Sequence, residues 1–260
     1  MPPGSITNRK IHWEWPEARK YTPYLGDFDA PSLFAKTTAH TVPIRRGKSR
    51  ILDIGCGTGI LGTYFLIAKG AKSVTFNDVL SKGIAVTFAN LDWHVENHRI
   101  KEPQVKCLKA GFAEISRNVA VQHDLLVFNP PQLPMDHVSK AYRRHVGAHA
   151  WQKAFRDGRG GDGLGITKEF LTWYEGLRRP LPPAFILLSS FLVLNKIKDM
   201  LNGFEIKWTI AESPTRIPLR RILVEAAEKF DDTERGDRSL RRTKGGHWTK
   251  ELLAVTVRRD

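Results

Sequence analysis

The chain has 260 residues, of which 41% are hydrophobic and 26% are charged, and its formal net charge is +14. This composition predicts a globular chain with a sizeable core and excludes a disordered one. The longest strongly apolar run, Ala184 to Leu194, is shorter than the roughly 20 residues that span a bilayer. The two cysteines, Cys56 and Cys107, have no disulfide or zinc-ligand spacing, and no apolar signal segment opens the chain, so we expect a cytoplasmic protein with no membrane partner.

The net charge is concentrated in three segments. Residues 1–50 carry nine Lys/Arg against four Asp/Glu, residues 139–180 carry nine against four, and residues 213–250 carry ten against six. If these segments converge in space, they favour an anionic partner. A generally basic, solvated surface fits the charge equally well.

Strands and helices alternate along most of the chain. After a polar link comes the strand ILDIG, followed in order by the helix ILGTYFLIAKG, the strand SVTFND, the helix SKGIAVTFANLDWHVENH, the strands QVKCLKAGF and HDLLVFNPP, the helix GDGLGITKEFLTWYEGLRR, the strand AFILLSSF, the helix LNKIKDMLNG, and the strands FEIKWTIAES and ELLAVTVRR. This alternation predicts an α/β fold with a doubly wound, Rossmann-like sheet of seven strands. The last two strands lack a full helix between them, which predicts a mostly parallel sheet with an antiparallel edge strand.

Two segments fall outside this pattern. Residues 1–47 are rich in Trp, Tyr and Pro and are predicted to form an N-terminal extension or lid. Residues 48–260 then form the main domain, with a basic insertion at 213–250 before the last strand.

The stretch ILDIGCGTG leads from the first strand into the first helix. Gly55, Gly57 and Gly59 permit a tight turn and a close approach of the backbone to a ligand. The spacing is neither that of a dinucleotide fingerprint nor that of a P-loop. Asp53 precedes the loop, where it can hold an ammonium group or orient loop amides. Asp78 ends the second strand, where an acid of a doubly wound fold can accept both ribose hydroxyl hydrogens.

These motifs resemble those of class I S-adenosylmethionine-dependent methyltransferases. LDIGCGTG is similar to their first motif, and NPPQ, at residues 129–132, is similar to their fourth, Asn/Asp-Pro-Pro-aromatic. GGDGLGITKEFL resembles the Gly-Asp-Gly-Leu stretch of the small-domain subgroup, which includes release-factor and ribosomal-protein glutamine methyltransferases and ribosomal-RNA guanine methyltransferases. The resemblance covers roughly residues 48–212 and 251–258, as a doubly wound fold would arrange them.

The resemblance implies S-adenosyl-L-methionine as the cofactor. The residues implied to bind it are Asp53, Gly55, Cys56, Gly57, Thr58, Gly59, Asp78, Val79, Gly111, Phe112 and Asn129. Phe112 stands where family members often carry an acid, so we expect adenine to stack on Phe112 and to bind backbone groups. Cys56 is expected to be a small packing residue, because the sequence places no base near it.

The Asn-Pro-Pro-Gln turn carries the predicted chemistry. The lone pair of a planar nitrogen is delocalised, and two acceptors that converge on its hydrogens would free it and disperse the developing positive charge. The resemblance implies this role for the side-chain carbonyl of Asn129 and the backbone carbonyl of Pro130, in a turn that Pro130 and Pro131 make rigid. Gln132 replaces the usual aromatic residue, so the acceptor is expected to be less flat or more polar than a nucleobase, unless an aromatic residue of the lid stacks instead.

The sequence therefore predicts an enzyme that methylates a nitrogen of an anionic or polar small molecule. Methylation of an RNA nucleobase is the alternative, which the basic segments with interleaved tryptophans favour. Methylation of a metabolite at oxygen or carbon, and a non-catalytic RNA-binding module on the same fold, also remain open. No metal site is expected, because the pairs His94 and His98, and His145 and His149, lack a third ligand and are predicted to be solvated or capping residues.

Overall fold

The computed structural model describes residues 41–96, 104–130, 162–178, 180–189, 192, 194–212, 217–218, 240–242, 244–246, 248–250 and 252–259. Most of the predicted lid lies outside these residues. So do Pro131 and Gln132 of the fourth motif.

The described secondary structure follows the predicted order closely. Its elements are β1 (Arg50–Ile54), α1 (Ile60–Ile67), β2 (Ser73–Asp78), α2 (Ser81–Glu96), β3 (Val105–Lys109), the short α3 (Arg117–Ala120), β4 (Leu125–Phe128), α4 (Gly165–Gly176), β5 (Ala184–Ser189), α5 (Leu194–Asn202), β6 (Lys207–Glu212), β7 (Ile217–Pro218), β8 (Leu240–Arg242), β9 (Trp248–Lys250) and β10 (Leu252–Arg258).

Seven of these strands form one sheet in the order β3-β2-β1-β4-β5-β10-β6. Strand β10 runs antiparallel to both β5 and β6, and the other neighbouring strands pair in parallel. The predicted α/β fold with an antiparallel pair at one edge is confirmed, and the reversed strand is the inner member of that pair. The strand order reverses between β1 and β4, and in doubly wound sheets ligands bind in the crevice at such a switch point.

The central strands are apolar on both faces, because helices cover the sheet on both sides. One core cluster takes Leu52, Leu126 and Ile186 from three adjacent strands, and the other takes Ile51, Val127 and Phe185. Successive residues of a strand alternate between the faces, so each strand contributes to both cores. None of the helices in the described part of the chain combines the length and the apolar character that a membrane span requires.

Strands β7, β8 and β9 form a separate antiparallel sheet in the order β7-β9-β8. This small sheet lies within the basic segment 213–250. Its last strand, β9, leads into β10 of the main sheet after a single residue.

Gly62 allows α1 to approach the sheet closely. A Cβ atom at this position would collide with Cε1 of Phe76 and would lie 2.9 Å from Oδ2 of Asp53. Both side chains are buried, so neither can move aside without cost. We expect Gly62→Ala to lower the free energy of unfolding by about 1–3 kcal/mol, as measured by urea denaturation.

Gly176→Ala is the matched control, because a Cβ atom added at this last residue of α4 meets nothing within 4 Å. It should leave the free energy of unfolding unchanged or raise it slightly. Equal losses in the two variants would contradict the close packing of Gly62.

Candidate active site

The candidate site lies at the carboxyl ends of β1, β2 and β4. Ile54 of β1 pairs with Asn77 of β2 on one side and with Phe128 of β4 on the other. One residue further along, Gly55 is therefore level with Asp78 on one side and with Asn129 on the other. The register thus brings the predicted glycine loop, the predicted ribose acid and the fourth motif to one edge of the sheet.

The loop after β1 has a backbone shape that glycine permits. Gly55, Gly57 and Gly59 have φ angles of 61°, 57° and 73°, which side-chain-bearing residues rarely adopt. Gly59 also lies against α2, since a Cβ atom there would be only 2.7 Å from Cγ2 of Thr87. The turn thus requires all three glycines, and the packing of α2 requires Gly59 as well.

The carboxylate of Asp78 fixes this loop directly. Its Oδ2 accepts a hydrogen bond of 2.9 Å from the Gly57 amide, and its Oδ1 accepts one of 2.8 Å from the Leu80 amide. Burial raises the pKa of Asp78, and the hydrogen bonds from the Leu80, Gly57 and Val79 amides oppose that rise. Because the two carboxylate oxygens have four lone pairs between them, the carboxylate can still accept a hydrogen bond from a ligand.

Asp53 is only 2% exposed and lies under the loop, on β1. Its Oδ2 accepts a hydrogen bond of 3.0 Å from the Gly62 amide at the start of α1. Burial raises the pKa of Asp53 to about 7; the Gly62 amide opposes the rise, and the nearby charge of Asp78 adds to it. The carboxyl group is therefore close to half ionised at neutral pH, and a cation beside it would favour the ionised form.

Two residues of α2 that were not among the predicted site residues hold the loop from the other side. Thr87 donates from Oγ1 to the Gly57 carbonyl at 3.1 Å, and Asn90 donates from Nδ2 to the Thr58 carbonyl at 3.0 Å. The two residues are three positions apart and so share a face of α2. Two polar residues at that spacing in a largely apolar stretch were the sequence signal by which this role could have been predicted.

Cys56 is buried, and its Sγ lies 3.5 Å from Oγ1 of Thr87. Burial raises the pKa of its thiol well above the ordinary value. A thiol that stays protonated is a poor nucleophile, which supports its interpretation as a packing residue.

The turn after β3 places Gly111 near the end of β2. A Cβ atom on Gly111 would lie 3.9 Å from Cγ2 of Val79, and Val79 is 59% exposed. The Gly111 amide donates to Oε2 of Glu114 at 2.6 Å. Position 112 has no acid, but Glu114, which was not among the predicted site residues, brings a carboxylate to the same turn.

The ring of Phe112 is half-buried among other aromatic rings. It packs edge-on against Phe128 at a centroid distance of 5.7 Å and stacks on Trp173 at 5.9 Å. These contacts make Phe112 part of the core beneath the turn. Val79 presents the more accessible apolar surface for a planar group.

Asn129 and Pro130 follow β4, and the strand before them is buried throughout. Asn129 is half-buried and Pro130 is buried. Asn129 is one strand away from the glycine loop, so the described part of the fourth motif lies beside the candidate cofactor site.

His94 of α2 was predicted to be a solvated or capping residue; it is only 1% exposed, so the solvated alternative is wrong. It lies in the last turn of the helix, on the side that packs into the protein. Within the described residues, no group of three or more His, Cys, Asp and Glu side chains could hold a metal ion. His98, His145 and His149 lie outside the described residues.

Residues 31–158 match the model of the family described as methyltransferase small domain. The release factor glutamine methyltransferase of Chlorobaculum tepidum is 34% identical over 84 residues, which are 32% of this chain and 28% of that protein. Among solved structures, the delta-N METTL16 MTase domain has a TM-score of 0.51 at 13% identity, with 89% of this chain and 83% of that chain covered. That structural likeness concerns the fold alone.

The methyltransferase small domain model covers just under half of the chain, and both this match and the fold agree with the resemblance to class I S-adenosylmethionine-dependent methyltransferases. The resemblance stated from the motifs is thereby confirmed. The chain spans less than a third of the length of the release factor enzyme that it matches.

Proposed function

We propose that the protein transfers a methyl group from S-adenosyl-L-methionine to a nitrogen atom of an anionic or polar acceptor. The observation that carries this proposal is the register of β2, β1 and β4, which brings Asp78, the glycine loop and Asn129 to adjacent strand ends. When bound, the cofactor supplies an electrophilic methyl group on a sulfonium.

The residues of the site fit this cofactor in chemical type. Asp78 can accept from the ribose hydroxyls with the lone pairs that Gly57 and Leu80 leave open. Val79 offers an apolar surface to the adenine ring, and Glu114 offers an acceptor near its amino group. Asp53, with its raised pKa, would hold the cofactor's ammonium group.

Asn129 and Pro130 would act on the methyl acceptor. Their carbonyl oxygens would accept hydrogen bonds from the nitrogen that attacks, which localises its lone pair and stabilises the positive charge as it develops. The half-buried position of Asn129 limits the water that competes for these hydrogen bonds. The surplus proton of the product would then pass to solvent.

Two classes of acceptor compete. The glutamine at position 132 favours a small polar or anionic molecule, because glutamine stacks poorly on a flat nucleobase. RNA is favoured by the small sheet β7-β9-β8, whose strands lie in the basic segment and connect to the main sheet at the same edge as this site. Transfer to oxygen or carbon would instead require a general base.

Calorimetric titration with S-adenosyl-L-methionine tests the proposal. If the cofactor's ammonium group binds beside Asp53, binding should release a proton near pH 7, because the carboxyl group is partly neutral in the free protein. Affinity should then rise by up to tenfold per pH unit below about pH 7 and level off above it. Titrations in two buffers of different ionisation enthalpy measure the released proton.

The same linkage gives the pH dependence of stability. Since the folded pKa of Asp53 is raised from 3.8 to about 7, its contribution to the free energy of unfolding is present at low pH and is lost as the pH rises through about 7. Bound cofactor should therefore stabilise the protein more at about pH 8 than at about pH 6.

Asp53→Asn should abolish the proton release, whereas Asp92→Asn, at an exposed position of α2, should retain it. No binding of S-adenosyl-L-methionine by the unaltered chain would contradict the proposed function itself. Binding without proton release would contradict only the role of Asp53.

A further inference from the structure

We propose that the small sheet β7-β9-β8 is the docking surface for a single-stranded RNA, which extends from this sheet to Asn129. This inference rests on the proposed function and specifies its substrate class. It follows from where the sheet is attached, how far it lies from Asn129, and which residue types it carries.

The small sheet is attached at the active-site edge because β10 is reversed. Leu252, the first residue of β10, pairs with Ser189 at the carboxyl end of β5. Lys250 at the end of β9 is therefore only two residues from that edge. Ile217 of β7, which pairs with Lys250, follows five residues after Glu212 at the carboxyl end of β6. Both connections of the small sheet thus reach the main sheet at its carboxyl edge, where the glycine loop lies.

The register bounds the distance from this attachment to the site. Phe128 pairs with Ile186, so Asn129 is level with Leu187, two residues short of Ser189. The distance across the sheet from β4 to β10 is two strand spacings, or about 10 Å. The offset of two residues along the strand direction is about 7 Å. The Cα atoms of Asn129 and Leu252 are therefore separated by about 12 Å, a distance that two or three nucleotides of a single strand can span.

The residue types of the small sheet are those that bind single-stranded nucleic acid. Residues 238–250 contain five Lys/Arg and no Asp/Glu. The ladder pairs Arg242 with Trp248 and Leu240 with Lys250, so these four positions share one face of the sheet. Cations beside an aromatic residue hold successive phosphates and a base of a single strand. An enclosed small acceptor has no use for a cationic strip that begins at Lys250, two residues before Leu252.

The test compares variants of the full chain in binding a fluorescently labelled single-stranded RNA of about 12 nucleotides. Arg242→Gln combined with Lys250→Gln removes two charges from the proposed surface. Lys48→Gln combined with Lys72→Gln removes two charges from exposed positions before β1 and β2, at the opposite edge of the sheet. Affinity is measured between about 50 and 200 mM salt.

We expect the first variant to bind RNA about tenfold more weakly at low salt, with a log–log salt slope shallower by about 1.4, because two phosphate contacts are lost at about 0.7 each. The control variant should bind like the unaltered chain. Lys244→Glu changes the charge by the same amount at an exposed position in the turn between β8 and β9, and it should weaken binding similarly.

Equal losses in the test and control variants, or unchanged binding in both the double variant and Lys244→Glu, would overturn the proposal. So would an RNA affinity of the unaltered chain that does not fall with salt. The binding of S-adenosyl-L-methionine to each variant is measured by calorimetry as well. If the unaltered chain binds the cofactor but not RNA, this inference alone is refuted. If the unaltered chain does not bind the cofactor, the proposed function is refuted.

Discussion

Asn129→Ala is expected to lower the rate constant for methyl transfer about a hundredfold while the affinity for S-adenosyl-L-methionine changes by no more than a few-fold. The substitution removes one of the two carbonyl oxygens proposed to accept from the attacking nitrogen. That contact matters most when positive charge develops, so its loss falls on kcat more than on KM. The cofactor would still be held by Asp78 and the glycine loop on the neighbouring strands.

The measurement is transfer of labelled methyl from S-adenosyl-L-methionine to single-stranded RNA and, separately, to a fraction of small anionic metabolites. Asn129→Asp serves as the conservative control, because it keeps an acceptor oxygen in the same place and should retain more activity than alanine. An unchanged rate in Asn129→Ala would indicate an oxygen or carbon acceptor. A general base should then appear in the pH–rate profile.

Asp78→Ala is expected to weaken the binding of S-adenosyl-L-methionine about a hundredfold. The variant loses the proposed ribose acceptor, and it also leaves the Gly57 and Leu80 amides without the carboxylate to which they donate at 2.9 and 2.8 Å. Hydrogen bonds to a charged group contribute about 1.5–3 kcal/mol each, so loss of the ribose contact alone accounts for a change of this size. Calorimetry gives the affinity directly.

Asp124→Ala provides the matched control at the opposite edge of the sheet. Asp124 also accepts a backbone hydrogen bond, from the Arg50 amide at 2.8 Å, and it pairs with the Arg50 guanidinium. Its removal should cost stability but leave cofactor affinity unchanged. If both variants lost affinity equally, the effect of Asp78 would be one of general stability and its role in the site would be refuted.

The sequence was sufficient for the fold and for the shape of the glycine loop, because those features are local. Strand and helix periodicity predicted the seven-stranded sheet, and three glycines at a spacing of two predicted the turn between β1 and α1. The position of Asp78 at a strand end followed from the same pattern. Each of these predictions depends only on residues within one or two successive elements.

The rest of the site depends on packing between distant segments. Thr87 and Asn90 reach the loop from α2, some 30 positions further along the chain, because that helix packs against the turn. Glu114 takes part in the turn at Gly111 through one exposed hydrogen bond that no periodicity indicates. His94 is not solvated, which was one of its two predicted alternatives, because the last turn of α2 buries it.

The hydrogen bonds of Gly57 have a consequence for the thermodynamics of cofactor binding. Its amide is bound by Asp78 and its carbonyl by Thr87, so the conformation of the loop is set by the protein's own side chains. The entropy of ordering this segment is lost during folding and not at the moment of binding. The loop is thereby preorganised, and most of the interaction free energy of a bound cofactor is available as affinity.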